Sequence, residues 1–163
     1  MNDILVLAID AARARFLALE RPEFPEWEPG PTLVEGEALI NAEREAAGRQ
    51  LWSEIKTGRN RGPGAGPAHA YDDHRENHAE EFERRFARLV AQEAARRADR
   101  FQVRQVVLVA ERRMLGFVRE ALAPLLGAQV RLEELAKDLC KLRAAELQAH
   151  LAGENLLPAH RRP

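Results

Sequence analysis

The sequence predicts one α/β domain, and three observations predict it. Ile4-Leu5-Val6-Leu7-Ala8-Ile9 is a continuous apolar run of strand length, as expected of a strand buried on both faces. Residues 79–98 place Ala79, Phe82, Phe86, Leu89 and Val90 at spacings of three and four, the signature of an amphipathic helix. Between Val106 and Leu132 the pattern reads strand, helix, strand, which implies a parallel pair with a crossover helix. A length of 163 residues suits one ordinary domain better than two.

Taken in order, Asp10-Ala11-Ala12 interrupts the first run and Arg13 to Glu20 resumes it, so the two segments read as a hairpin. Pro22, Pro25, Pro29, Gly30 and Pro31 then break the chain. Thr32 to Leu39 follows as an edge-like strand. Four glycines and two prolines between Gly58 and Pro67 exclude a helix or a ladder there. Asp73, with Glu76 three residues on, matches a capping box and predicts the start of the long helix. Val106–Ala110 is the next buried strand, and Met114–Leu122 is a helix ended by Pro124 and Gly127. Ala128–Leu132 is a further core strand. The last helix is expected from Asp138, burying Leu139, Leu142, Leu147 and Leu151 and stopping at Gly153. The domain is therefore expected over residues 1–153, with a frayed tail over 154–163. No internal repeat is visible.

Composition narrows the function classes. The net charge of −1 gives no bulk attraction to nucleic acid or to an anionic membrane. Arginine outnumbers lysine 22 to 3, a coding bias that discounts arginine clusters as signs of phosphate binding. Cys140 is the only cysteine, so no intrachain disulfide and no thiolate-rich zinc site can form. The six-residue apolar run near the N-terminus is too short for a signal peptide core or a membrane span. The expected location is cytoplasmic.

Four pieces of sequence, in order, carry a family resemblance. They are Asp10-Ala11-Ala12-Arg13-Ala14-Arg15-Phe16; Gly58-Arg59 with the His78-bearing helix start and Arg85-Phe86-Ala87; Arg113-Met114-Leu115-Gly116-Phe117-Val118-Arg119; and Lys137-Asp138-Leu139 with Glu146-Leu147. Together they resemble the bacterial host-attachment proteins, relatives of the middle domain of archaeal and eukaryotic peptide-release factors. The resemblance implies a mixed sheet with flanking helices, release-factor-middle-domain-like and of ribonuclease H-like topology. In release factors a Gly-Gly-Gln loop precedes the long helix and enters the ribosome. Gly62-Pro63-Gly64-Ala65-Gly66-Pro67 stands in the corresponding place without a glutamine, so that chemistry does not carry over. Cys140 replaces a residue that is more often threonine in the family.

Three sets of candidate residues follow. Asp10, Glu111 and Asp138 are expected at two strand ends and a helix start. The layout resembles ribonuclease H-like nucleases, whose carboxylates hold two metal ions. Against it, alanines replace the usual glycine after the aspartate, and Arg13 and Arg15 suggest an ion pair with Asp10 instead. His74 and His78 stand four apart on one helix face with Glu81 adjoining, a possible divalent-metal seat. Exposed histidines near a helix start need no such role. Arg59, Arg113, Arg119 and Lys137 are the candidate RNA- or phosphate-binding residues; solvation, or pairing of Arg113 and Arg119 with Glu111 and Glu120, is the plainer expectation. The glycine-rich loop lacks the lysine and hydroxyl of an ATP-binding loop.

Three functions are compatible with this sequence. The first is a non-catalytic or RNA- or ribosome-facing module of the host-attachment family. The second is a metal-dependent hydrolase or nuclease. The third is an interaction module, homo-oligomeric through the long helix or the edge strand near Val34. No cofactor is expected unless a divalent metal serves the second reading, and no reaction is established.

Overall fold

The computed structural model describes residues 2–44 and 68–163, with backbone alone for 68–76. Ile4–Ile9 forms β1, and every one of its six side chains is buried. β1 is the central strand: it pairs antiparallel with β2 (Arg13–Glu20) and parallel with β5 (Gln105–Ala110). A strand flanked on both sides and covered on both faces has no place for a polar side chain. β3 (Thr32–Glu35) and β4 (Leu39–Ile40) both pair antiparallel with β2, and β6 (Arg131–Ala136) pairs parallel with β5. The result is a mixed six-stranded sheet of order β3-β2-β1-β5-β6, with β4 beside β2. The expected α/β domain with a mixed sheet and flanking helices is the observed one.

Alternation along the strands divides the core. Leu5, Leu7, Ile9, Phe16, Val106 and Leu108 face α1 (Ala68–Arg100) and α2 (Arg112–Leu122). Ile4, Val6, Leu17, Leu19, Val107 and Val109 face α3 (Ala144–Gly153) through Leu147 and Leu151. α1 covers the sheet with Phe86, Ala87, Val90, Ala91, Ala94 and Ala98, and its small residues let helix and strands approach closely. At 33 residues it is about 50 Å long.

Several boundaries differ from expectation, each for a physical reason. α1 is described from Ala68, so Asp73 lies inside the helix and is not its cap. The edge strand splits into β3 and β4, with Gly36 donating its N–H to the Phe16 carbonyl between them. The strand expected at 128–132 is β6, shifted toward the C-terminus. Residues Gly127–Val130 are a turn closed by Val130 N–H to Gly127 O. Glu133 and Glu134 resemble loop residues in the sequence, but an edge strand tolerates charge.

The last helix starts at Ala144, not near Asp138. The spacing of Leu139 and Leu142 imitates a helix, yet those residues sit in a turn whose carbonyls are held by arginines from β2. The tail expected to fray is tied down instead. Leu157 is buried, the Gln148 amide donates to Pro31 O at 2.8 Å, and Gly30 and Arg161 exchange backbone hydrogen bonds at 2.9 and 3.0 Å. No helix among the described residues is long and apolar enough to cross a membrane.

Candidate functional site

The parallel strands end level with one another. Ile9 is in register with Ala110, and Ala110 with Ala136, so Asp10, Glu111 and Lys137 emerge together at the carboxyl edge of the sheet. This edge is where open α/β sheets place ligands. Each of the three candidate carboxylates has a local backbone partner there. Asp10 Oδ1 accepts the N–H groups of Ala12 and Arg13, both at 2.8 Å, which fixes the tight turn from β1 to β2. Glu111 is the N-cap of α2 and accepts the Arg113 N–H at 2.7 Å. Asp138 accepts the Cys140 N–H at 3.4 Å. Among the described residues no three His, Cys, Asp or Glu side chains gather to hold a metal.

Arg13 and Arg15 do not pair with Asp10. Arg15, 5% exposed, donates Nη1 to the carbonyls of Cys140 at 2.7 Å and Leu142 at 2.6 Å, and its guanidinium pairs with Glu35. Arg13 adds a hydrogen bond to Cys140 O at 2.9 Å. The two arginines therefore hold the 140–142 turn against the end of β1. The Cys140 thiol donates to Ala8 O at 3.5 Å. Burial first, and the nearby Asp10 carboxylate second, push its pKa above the usual value, with Arg13 opposing. A raised, buried thiol is a poor nucleophile.

The candidate phosphate-binding cations are engaged. Arg113 forms a two-pronged ion pair with Glu83 of α1 at 2.9 and 2.7 Å, and the hydrogen bond to Glu83 is the main cause of its raised pKa. Arg119 pairs with Glu134 of β6 and Lys137 with Glu154 at 2.8 Å. The lysine's hydrogen bond holds the Glu154 carboxyl below its usual range. The acids that answer Arg113 and Arg119 are thus Glu83 and Glu134, not Glu111 and Glu120. Arg59 and the glycine-rich loop lie outside the described residues.

His74 and His78 both fall on the α1 backbone, four residues apart, but the His74 side chain lies outside the described residues. His78 is exposed, with its ring centroid 6.4 Å from that of Phe82. Glu81 is exposed on the same helix.

Sequence reasoning missed the buried polar groups that join the layers. Gln148, on the sheet-facing side of α3, accepts the Leu33 N–H at 3.0 Å. Asn41 donates to Ala11 O at 2.9 Å and pins the turn after β1. Neither stands in a motif; only a polar residue at an apolar helix position, Gln148 beside Leu147, gives a hint.

The chain matches the family described as protein required for attachment to host cells over residues 5–151, which covers all of the sheet except Ile4, and most of α3. No curated protein matches the sequence.

Proposed function

The chain belongs to the family of proteins required for attachment to host cells, and from that premise we propose that it is a non-catalytic binding module whose carboxyl sheet edge faces RNA or the ribosome. One observation carries the reading. Asp10, Glu111 and Asp138, the acids an α/β enzyme would keep free at this edge, each accept a backbone N–H of a turn or helix start. Carboxylates with such local work explain their positions without a reaction.

Lys137 at this edge and Arg119 on α2 are in largely solvent-exposed pairs, and such pairs contribute only about 0–1 kcal/mol. A phosphate can replace Glu154 at Lys137, or Glu134 at Arg119, with little loss. Arg113 is the costlier to release, because Glu83 is largely covered and would be left without its partner. The antiparallel hairpin joined to a parallel strand-helix-strand unit, with a long helix between, supports the likeness to a release-factor middle domain and to ribonuclease H-like topology. Attachment to host cells then follows indirectly, through an RNA- or ribosome-bound role.

The test is sedimentation of tagged protein from gently lysed native cells at low and at moderate salt. Migration with ribosomal fractions that is lost with salt, and lost in the double variant Arg119→Glu, Lys137→Glu, is the expected result. Migration as a small free species at both salts removes the ribosome-facing part of the reading.

A further inference from the structure

Between β2 and β3 the chain reads Arg21-Pro22-Glu23-Phe24-Pro25-Glu26-Trp27-Glu28-Pro29-Gly30-Pro31. Phe24 is 56% exposed and Trp27 79% exposed, although aromatic side chains dominate core and interface energetics. The segment is held in shape. The N–H groups of Trp27 and Glu28 donate to Phe24 O at 2.9 and 2.8 Å, and Gly30 is bonded in both directions to Arg161. The Glu28 carboxylate accepts the Phe24 N–H at 3.3 Å. Four prolines lower the entropy of the loop further. Two aromatic rings are therefore presented to solvent on a pre-organised acidic knob, and none of Glu23, Glu26 and Glu28 forms an ion pair among the described residues.

The opposite face of the sheet carries a groove of matching character. It lies between α1 and α2, has a volume of about 470 Å³, and is floored by Phe117, Ala121 and the half-exposed Leu125. Its charged residues are Arg84, Arg88 and Glu120, with Gln92 beside them. Arg84 already lies over the Phe117 ring at 5.0 Å and pairs with Glu80. Arg88 has no acidic partner among the described residues. A guanidinium beside an apolar floor is a good seat for an indole, whose face attracts cations.

We propose that the Phe24–Trp27 knob of one copy docks into the α1–α2 groove of a second copy of this chain. The C-terminal end of the knob belongs to the other layer. Its end is fastened to α3 by Gln148 and to the tail by Arg161, whereas α1 and α2 cover the other face. Each copy offers one knob and one groove, and a single knob-in-groove contact between two copies is head-to-tail. Two aromatic side chains bury roughly 150–250 Å² each, well under the ~800 Å² per partner of a standard stable interface. The association is accordingly weak, concentration-dependent and sensitive to salt.

Sedimentation velocity on the full chain, from about 10 μM to about 1 mM, tests this with Trp27→Ala and Arg88→Glu. Both positions are exposed, so both variants keep the fold. The wild-type mean mass rises with concentration, and each variant alone weakens association tenfold or more. An equimolar mixture of the two forms a dimer and stops there, because the Arg88→Glu copy still has a knob and the Trp27→Ala copy still has a groove. A wild-type protein monomeric throughout, association indifferent to Trp27→Ala, or a mixture that stays monomeric overturns the proposal. None of these outcomes bears on RNA binding at the carboxyl edge.

Discussion

Arg15 of β2 donates Nη1 to the Cys140 carbonyl at 2.7 Å, joining residues 125 positions apart and closing the turn that carries Asp138. The same guanidinium also meets Leu142 O and Glu35. Arg15→Ala leaves two carbonyls and a carboxylate without that donor and is expected to cost about 2–5 kcal/mol of stability. Arg15→Lys recovers only part of this, since one ammonium cannot reproduce a planar fork. Urea unfolding of the three proteins measures both; equal stability of Arg15→Ala and wild type contradicts the role.

Asp10 fixes a turn, and an amide oxygen can accept the same two N–H groups. Asp10→Asn is therefore expected to lie within about 0.5 kcal/mol of wild type, and Asp10→Ala to cost about 1–2 kcal/mol. If Asp10 were a metal ligand, Asn would behave as badly as Ala in divalent-metal titration. Unfolding curves with and without Mg²⁺ or Mn²⁺ separate the two roles.

The cap at Glu111 is the simplest case. Glu111→Ala removes the side-chain acceptor at the start of α2, at an expected cost of about 1 kcal/mol. Chemical denaturation reads the loss, and RNA binding by the folded variant stays within about twofold of wild type.

These placements show what the sequence makes legible and what it does not. β1, β5 and the hairpin are readable because burial on one or two faces imposes a pattern on consecutive residues. The stripe of α1 is readable only in part, since Phe86 and Val90 are buried as expected while Ala79 and Leu89 are exposed and the small residues Ala87, Ala91 and Ala94 take the sheet-facing positions. The turn at 137–143 is not, because its shape comes from Arg13 and Arg15, which are distant in the chain. Leu139 and Leu142 then counterfeit a helical spacing. β6 is obscured for a related reason: a strand with one neighbour can carry Glu133 and Glu134 without penalty. Arg113 and Arg119 are recognisable as surface arginines, but their partners Glu83 and Glu134 follow from helix and strand placement, not from proximity in sequence.

Cys140 supplies a pH prediction. Its folded thiol pKa lies above the ordinary 9.0, chiefly through burial, so the unfolded chain loses its proton first as pH rises. The contribution to stability is complete below the unfolded value and is lost as pH climbs through the folded one. Native protein at pH 8 is expected to react with an aromatic disulfide reagent far more slowly than urea-unfolded protein. Equal rates contradict the buried, hydrogen-bonded thiol. Cys140→Ser should also flatten the alkaline decline in stability above about pH 9.

The carboxyl edge of the sheet is proposed to bind RNA without cleaving it. The most direct test is one titration of a fluorescently labelled structured RNA, with and without Mg²⁺ or Mn²⁺, read for anisotropy and then for strand integrity. Expected are binding that weakens with salt by about 0.7–0.9 log units per log unit for each phosphate contacted, weaker binding by Arg119→Glu, Lys137→Glu, and intact RNA throughout. Metal-dependent cleavage abolished by Asp10→Asn, or no binding even at low salt, contradicts the account.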